Sequence, residues 1–185
     1  MGTEMHGIIF LELQKYVVGM LGNDAWNQLM NKAGVKQKIY LCSEVYPDQE
    51  ILALVAALSK STGESAPALL EDFGKFIVPA LFKMYRVLIK PEWKTLDVIE
   101  HAEETIHKVV RIKNPGALPP ALKCTRTGPG EIVINYKSPR RLCSLAKGIA
   151  QGLAAHFNER ISINEKTCML KNADSCSISI KLEKH

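Results

Sequence analysis

Between residues 114 and 140 the chain reads NPGALPPALKCTRTGPGEIVINYKSPR, and the hydrophobic period changes within it. Asn114-Pro115-Gly116 stops a helix. Pro119-Pro120 keeps the next residues extended, because a proline ring crowds the residue before it out of the helical region. Gly128-Pro129-Gly130 is a turn signal. Glu131–Lys137 (EIVINYK) then alternates apolar and polar side chains, as a half-buried strand does.

Upstream of this switch the pattern is helical. Residues 5–21 carry a stripe through Ile8, Ile9, Leu11, Tyr16, Val17 and Met20. Asn23 is placed to cap a second helix through Trp26, Leu29 and Met30, closed by Gly34. Pro47 and Asp48 open a third helix through Ile51, Leu54, Val55 and Leu58, closed near Gly63. Ser65 before Pro67 starts a fourth; Pro79 is expected to kink or break it before Leu88. Residues 95–112 read as one long helix. Downstream, residues 140–158 are helical through Leu142, Leu145, Ile149 and Leu153. Residues 160–164 and Cys176–Leu182 alternate like strands, with residues 172–174 at a hairpin tip. The expectation is an α+β fold: a helical N-terminal lobe (about 1–112) and a C-terminal lobe (113–185) of antiparallel sheet with a helix. Residues 1–185 would form a single domain.

Composition narrows the function. Apolar residues make up 46% and charged residues 23% of the 185, as in an ordinary globular domain rather than a disordered or fibrous chain. The longest apolar run, from Ile51 to Leu58, is far short of the ~20 residues of a membrane span. The polar start lacks a signal-peptide pattern, so a cytoplasmic, non-membrane protein is expected. The net charge is only +5, and the densest basic cluster is Lys137, Arg140 and Arg141. That argues against a nucleic-acid partner. Five cysteines, an odd number, point to reduced thiols or a metal rather than a disulfide framework.

Two constellations carry chemistry. Tyr136, Ser138 and Arg140 are spaced to share one face at a strand end, where phenol, hydroxyl and guanidinium can clamp an anion. The alternative is a solvated strand end. On the 95–112 helix the apolar stripe passes through Leu96, Ile99, Ile106 and Val110. His107 falls within it, while His101 lies on the polar face. An interior imidazole needs a hydrogen bond, a counter-charge or a metal.

Taken together, Met5-His6-Gly7, Trp26, Gly34, Gly74, His107, Pro119-Pro120 and Tyr-Lys-Ser-Pro-Arg (136–140) resemble the haem nitric oxide/oxygen-binding (H-NOX) family. That family includes the sensory domain of soluble guanylate cyclase; the resemblance is to its bacterial stand-alone type. It implies haem b between the two lobes, His107 as proximal iron ligand, and Tyr136, Ser138 and Arg140 on the propionates. Pro120 corresponds to the proline that presses on the porphyrin. Oxygen-binding members carry a distal tyrosine where this chain has Leu145, with Ala146 beside it. Other family pocket positions fall near Leu13 and at Phe76 or Ile77. All are apolar, which favours nitric oxide and carbon monoxide over oxygen. The implied role is a gas sensor, not an enzyme, read by a histidine kinase or cyclic-di-GMP enzyme. No distal histidine–arginine pair for peroxide cleavage is present. Gly2 to Glu4 precede the usual family start, as an alternative-start remnant would.

Cys168 and Cys176 flank the predicted hairpin tip, and Cys143 lies on the preceding helix. Three converging thiolates suit zinc. Some bacterial family members are similar here and place a histidine three residues before the first hairpin cysteine; this chain has Glu165. Glu165 as an oxygen ligand, His156 or His185 as a substitute, and free thiols or a hairpin disulfide all stay open. Cys42 and Cys124 read as ordinary core or strand cysteines. Two other readings remain: a cysteine–zinc redox sensor and a haem-free interaction module.

Overall fold

Helix ends in the computed structural model, which describes residues 4–183, follow the capping chemistry closely. After β1 (Glu4–His6) come α1 (Gly7–Leu21), α2 (Ala25–Lys32), β2 (Val45–Pro47), α3 (Asp48–Thr62) and α4 (Ala66–Tyr85). Ser65 accepts a hydrogen bond from the Ala68 N–H at 3.3 Å and starts α4. Gly63 closes α3 in the left-handed region, at φ 78°. The cap of α2 is Asp24, one residue later than expected. Pro79 does not break α4, which runs on to Tyr85. Residues Gly2 and Thr3 of the expected start remnant, and His185 as a substitute ligand, lie outside the described residues.

The helix expected over 95–112 is three pieces: α5 (Thr95–His101), a π-helical turn (Glu103–His107) and α6 (Lys108–Lys113). In the wide turn the His107 N–H reaches Ala102 O, five residues back, at 2.9 Å. Such insertions cost helix regularity and recur where a side chain must be re-aimed. Then follow β3 (Ala121–Gly128), β4 (Glu131–Lys137), α7 (Cys143–His156), β5 (Ile161–Thr167) and β6 (Cys176–Leu182). Strand β3 was not expected. It is an edge strand, exposed at every second residue, with Lys123, Thr125 and Arg126 diluting the apolar signal. Helix α7 starts only at Cys143, because residues after Lys137 form a turn with Arg141 at φ 54°.

The sheet is antiparallel in the order β3-β4-β6-β5. Tyr136 on β4 sits opposite Leu122 on β3 and Cys176 on β6. One core joins α1–α4 around Phe10, Leu13, Met30, Leu54 and Phe73. A second joins α5, α7 and the sheet around Ile99, Leu153, Ile132, Ile134 and Ile178. The architecture is therefore α+β with a helical and a sheet-bearing lobe, as expected. The packing divides elsewhere, however. Ile77 belongs to the first core and Val78 to the second, so the division runs through α4, and α5 packs on the sheet rather than on the N-terminal helices. The change of hydrophobic period near Pro115–Pro120 marks a switch in local structure, not in packing partner.

Helices α4 and α7 hold the lobes together by very close approach. A Cβ on Gly148 would lie 2.0 Å from Glu71 O, and one on Gly74 2.6 Å from Leu145 O. No helix among the described residues is long and apolar enough to cross a membrane.

Candidate functional site

A cavity opens between the lobes. Its walls are Ile8 and Ile9 of α1, Val78, Leu81, Phe82 and Tyr85 of α4, and Leu142, Leu145, Ala146 and Ile149 around α7. The far wall is Ile106, His107, Val110 and residues 117–120. This lining is almost wholly apolar. Its polar groups gather at a few points: His107 on one wall, Tyr136 and Arg140 where β4 ends, Glu4 and His6 beside α1, and the Tyr85 phenol on α4.

The π-helical turn places His107 on that wall with its ring 17% exposed. Its Nδ1 lies 3.0 Å from Glu103 Oε2. Glu103 also accepts from Arg111 Nη2 at 2.6 Å and from the Leu122 N–H at 3.1 Å. Burial pushes the Glu103 carboxyl up, but the hydrogen bonds from His107, Arg111 and Leu122 outweigh it and hold it at about 2. An ionised carboxylate can only accept, so Nδ1 carries the ring proton. In the neutral ring that tautomer leaves Nε2 with the lone pair that a metal ligand requires.

Of the three anion-clamp residues, only Tyr136 is on the strand. Buried and facing the cavity, its phenol is pushed up to about 12 by desolvation. Ser138 and Arg140 sit on the turn that follows, so the expected single row on a strand face is corrected. Ser138 is buried and absent from the cavity wall; its Oγ accepts the Arg140 N–H at 3.3 Å. Arg140 lines the cavity. Its Nε approaches Asp48 Oδ2 to 2.7 Å, and its Nη2 donates to Glu4 O at 3.2 Å and to Leu118 O. The guanidinium thus ties together α3, β1 and the segment before Pro119. Both Asp48 oxygens are buried without an aligned hydrogen-bond donor, so Arg140 supplies their charge balance. A buried pair of this kind is costly to break, because either partner alone is an uncompensated charge.

Pro119 and Pro120 line the cavity beside His107, and Leu145 faces it from α7. Three expected pocket positions do not face it. Ile77 is fully buried in the helical core, and Phe76 is 42% exposed with its ring against Tyr16. Leu13 is likewise in the helical core. Val78, Leu81 and Phe82 meet the cavity instead; Leu81 shares the face of Ile77 one turn further on.

The thiols converge as expected. Cys143, Glu165, Cys168 and Cys176 each offer a ligand atom, all within 4.8 Å of one another. Cys143 Sγ and Cys168 Sγ are 3.7 Å apart. Thiolates at ~2.3 Å from a tetrahedral zinc lie ~3.8 Å from each other, so the spacing suits that ion. Glu165 Oε1 is buried with no hydrogen-bond partner, which leaves it available to a cation. Lys147 lies 3.8 Å from the other Glu165 oxygen. Burial pushes the Cys143 and Cys176 thiols up. His156 instead packs at a tilt against Phe82, 4.1 Å between ring centroids, and does not join the group. Cys124 is half-buried on β3, and Cys42 is exposed rather than in a core or strand.

Sequence reasoning missed Glu103, Asp48 and Tyr85. Glu103 had a signal in its position four residues before His107 on a helix. Asp48 had none, since its partner Arg140 is distant in the chain.

A family model described as Haem-NO-binding matches residues 6–165. The chain resembles an H-NOX protein from S. oneidensis, solved in the Fe(II)NO ligation state, with 28% identity and a TM-score of 0.91 over 97% of this chain and 100% of that one. It also resembles the Shewanella oneidensis H-NOX domain in the Fe(II)CO ligation state, with 28% identity and a TM-score of 0.87 over 98% and 100% of the two chains. Soluble guanylate cyclase 89Da of Drosophila melanogaster is 26% identical over 137 residues, 74% of this chain. The chain spans only 20% of that relative's length.

Proposed function

The chain belongs to the haem-NO-binding family, and on that premise we propose that it senses nitric oxide at ferrous haem b and passes the signal to a partner protein. The observation that carries this reading is the His107 ring, its Nδ1 proton engaged by Glu103 and its Nε2 left free on an apolar wall. Haem b, when bound, supplies a ferrous iron with an open coordination position for nitric oxide or carbon monoxide. His107 Nε2 would hold the iron, Tyr136 and Arg140 the propionates, and Pro120 would bear on the macrocycle. Ser138 acts one step back, by fixing the Arg140 backbone. Arg140 already connects β1, α3 and the segment before Pro119, so exchanging those partners for a propionate would change how the lobes meet.

The partner, a histidine kinase or cyclic-di-GMP enzyme in the cytoplasm, must prefer one lobe arrangement, because only differential affinity shifts an equilibrium. The chain itself would be non-catalytic. The direct test is the anaerobic absorption spectrum of reduced protein before and after nitric oxide. A Soret band that shifts is expected; a colourless protein that takes up no added haem overturns the reading.

The side chains of Leu145, Ala146 and Ile149 offer no hydrogen-bond donor from α7; the phenols on the cavity wall are Tyr85 on α4 and Tyr136 at the end of β4. A missing donor is worth roughly 1–3 kcal/mol, or about ten- to a hundred-fold in oxygen affinity. Leu145→Tyr is therefore expected to give oxygen affinity that the parent lacks. A ferrous spectrum of this variant that stays unmoved in air would count against a hydroxyl reaching the ligand from that position.

A second reading concerns zinc at Cys143, Glu165, Cys168 and Cys176, favoured by the unpartnered Glu165 Oε1. Zinc there would clamp α7 to the β5–β6 hairpin, with redox sensitivity through its thiolates. Elemental analysis should find one zinc per chain. Glu165→Ala should weaken zinc by at least about tenfold, or ~1.4 kcal/mol. Unchanged affinity would exclude the carboxylate as a ligand.

A further inference from the structure

Glu103 does more than complete a helical turn. One of its oxygens, Oε2, meets both His107 Nδ1 at 3.0 Å and the Leu122 N–H at 3.1 Å. The other is held by Arg111 at 2.6 Å. Leu122 is the second residue of β3, just past Pro120, and pairs across the sheet with Tyr136. A single carboxylate therefore contacts the imidazole, the strand that begins at the prolines, and, through that strand, the phenol at the cavity's end.

We propose that Glu103 is a positioning residue that sets how strongly His107 donates to iron and links that histidine to the strand following Pro120. The proposal rests on the haem reading above. A carboxylate accepting from the distant ring nitrogen draws the Nδ1 proton toward itself. That leaves more electron density on Nε2 and makes it a stronger ligand. Arg111 opposes this by drawing the same carboxylate's charge the other way. The bond His107 makes would thus be tuned by two residues with opposite signs. Glu103 also fixes the ring's rotation, since its own position is secured by Arg111 and the β3 backbone. Any displacement of His107 then pulls on the Leu122 N–H, and through it on the strand that begins beside the prolines.

A purely structural ion pair, Glu103 with Arg111 across the helix, would predict none of this directionality. The test is the iron–histidine stretching band of the reduced, haem-loaded protein by resonance Raman. Glu103→Ala should move the band to lower frequency, and Glu103→Gln, which keeps an acceptor but not the charge, should move it less. Arg111→Ala should move it the opposite way, to higher frequency. In haem-free protein, the nitrogen shifts of His107 should show Nδ1 protonated, with that preference lost in Glu103→Ala. A loaded Glu103→Ala or Glu103→Gln protein with the parent's band overturns this inference alone, as does a shift of the same sign in Arg111→Ala. A parent protein that takes up no haem overturns the functional reading, and the inference with it.

Discussion

Replacing His107 with alanine will leave a folded protein that loses haem. The ring is 17% exposed and stands on a cavity wall rather than inside either core, so truncation removes little packing. Its structural bonds are limited to the contact with Glu103, which keeps Arg111 and Leu122 as partners when the imidazole is gone. Thermal unfolding should therefore move by only a few degrees. The loss should fall on the cofactor. Among the described residues the cavity wall presents no second free imidazole or thiolate beside His107; His6, also on the wall, engages the Ile8 N–H through its Nδ1. Without the axial bond, haem is held by apolar contact and the Tyr136–Arg140 end alone. A loss of at least about a hundredfold in haem affinity is expected, or ~2.7 kcal/mol. Added imidazole should restore the Soret band by filling the space. A purified His107→Ala protein with the parent's spectrum would dismiss His107 as the ligand.

Gly148→Ala should be strongly destabilising, as should Gly7→Ala, whose methyl would stand 1.9 Å from Leu41 O. In Gly148→Ala the new methyl would stand 2.0 Å from Glu71 O, a backbone atom that cannot rotate away. The helices would have to separate. Overpacking of this kind costs about 3 kcal/mol, which for a domain of this size lowers Tm by roughly 6–12 °C. Gly152→Ala meets Val78 Cγ2, a side-chain end, at 2.6 Å and the Lys75 backbone only at 3.0 Å, and should cost less. Gly19→Ala on α1 meets nothing within 4 Å and should be neutral or stabilising by up to ~1 kcal/mol. The same separation would widen the cavity between Leu81 and Leu145, so Gly148→Ala should also bind haem more weakly. Calorimetric melting of the Gly148, Gly152 and Gly19 variants checks the order. Equal Tm for Gly148→Ala and Gly19→Ala would mean that α4 and α7 are not in contact.

Much of this was legible before any tertiary contact was known. The caps at Ser65 and Gly63, the proline break at 115–120 and the alternation of Glu131–Lys137 are local chemistry, and the elements formed where that chemistry placed them. The expected inward face of His107 also agrees with the cavity lining. Where expectation and structure part, a local rule met a longer-range one. Strand β3 lacks an alternating apolar signal because an edge strand buries so little. Pro79 is tolerated inside α4, which packs on α7 before it at Gly74 and Val78 and after it at Phe82. The turn after Lys137 rotates Ser138 and Arg140 off the strand face that simple alternation assigned them.

What the chain alone determined is therefore the parts: which segments are helix or strand, that His107 faces inward, and that phenol, hydroxyl and guanidinium lie together where β4 ends. What the tertiary structure decided is what each part touches. Asp48 meets Arg140 only because α3 packs against the turn after β4. Ile77 misses the cavity because its turn of α4 is packed into the helical core, and Phe76 because its ring lies against Tyr16. Glu103 meets His107 through their local i, i+4 spacing, but reaches Leu122 only because β3 lies alongside. Local periodicity constrains a side chain's direction relative to its own helix or strand. The rotation and distance of that element against its neighbours follow from the packing of the whole, and they decide which directions become contacts.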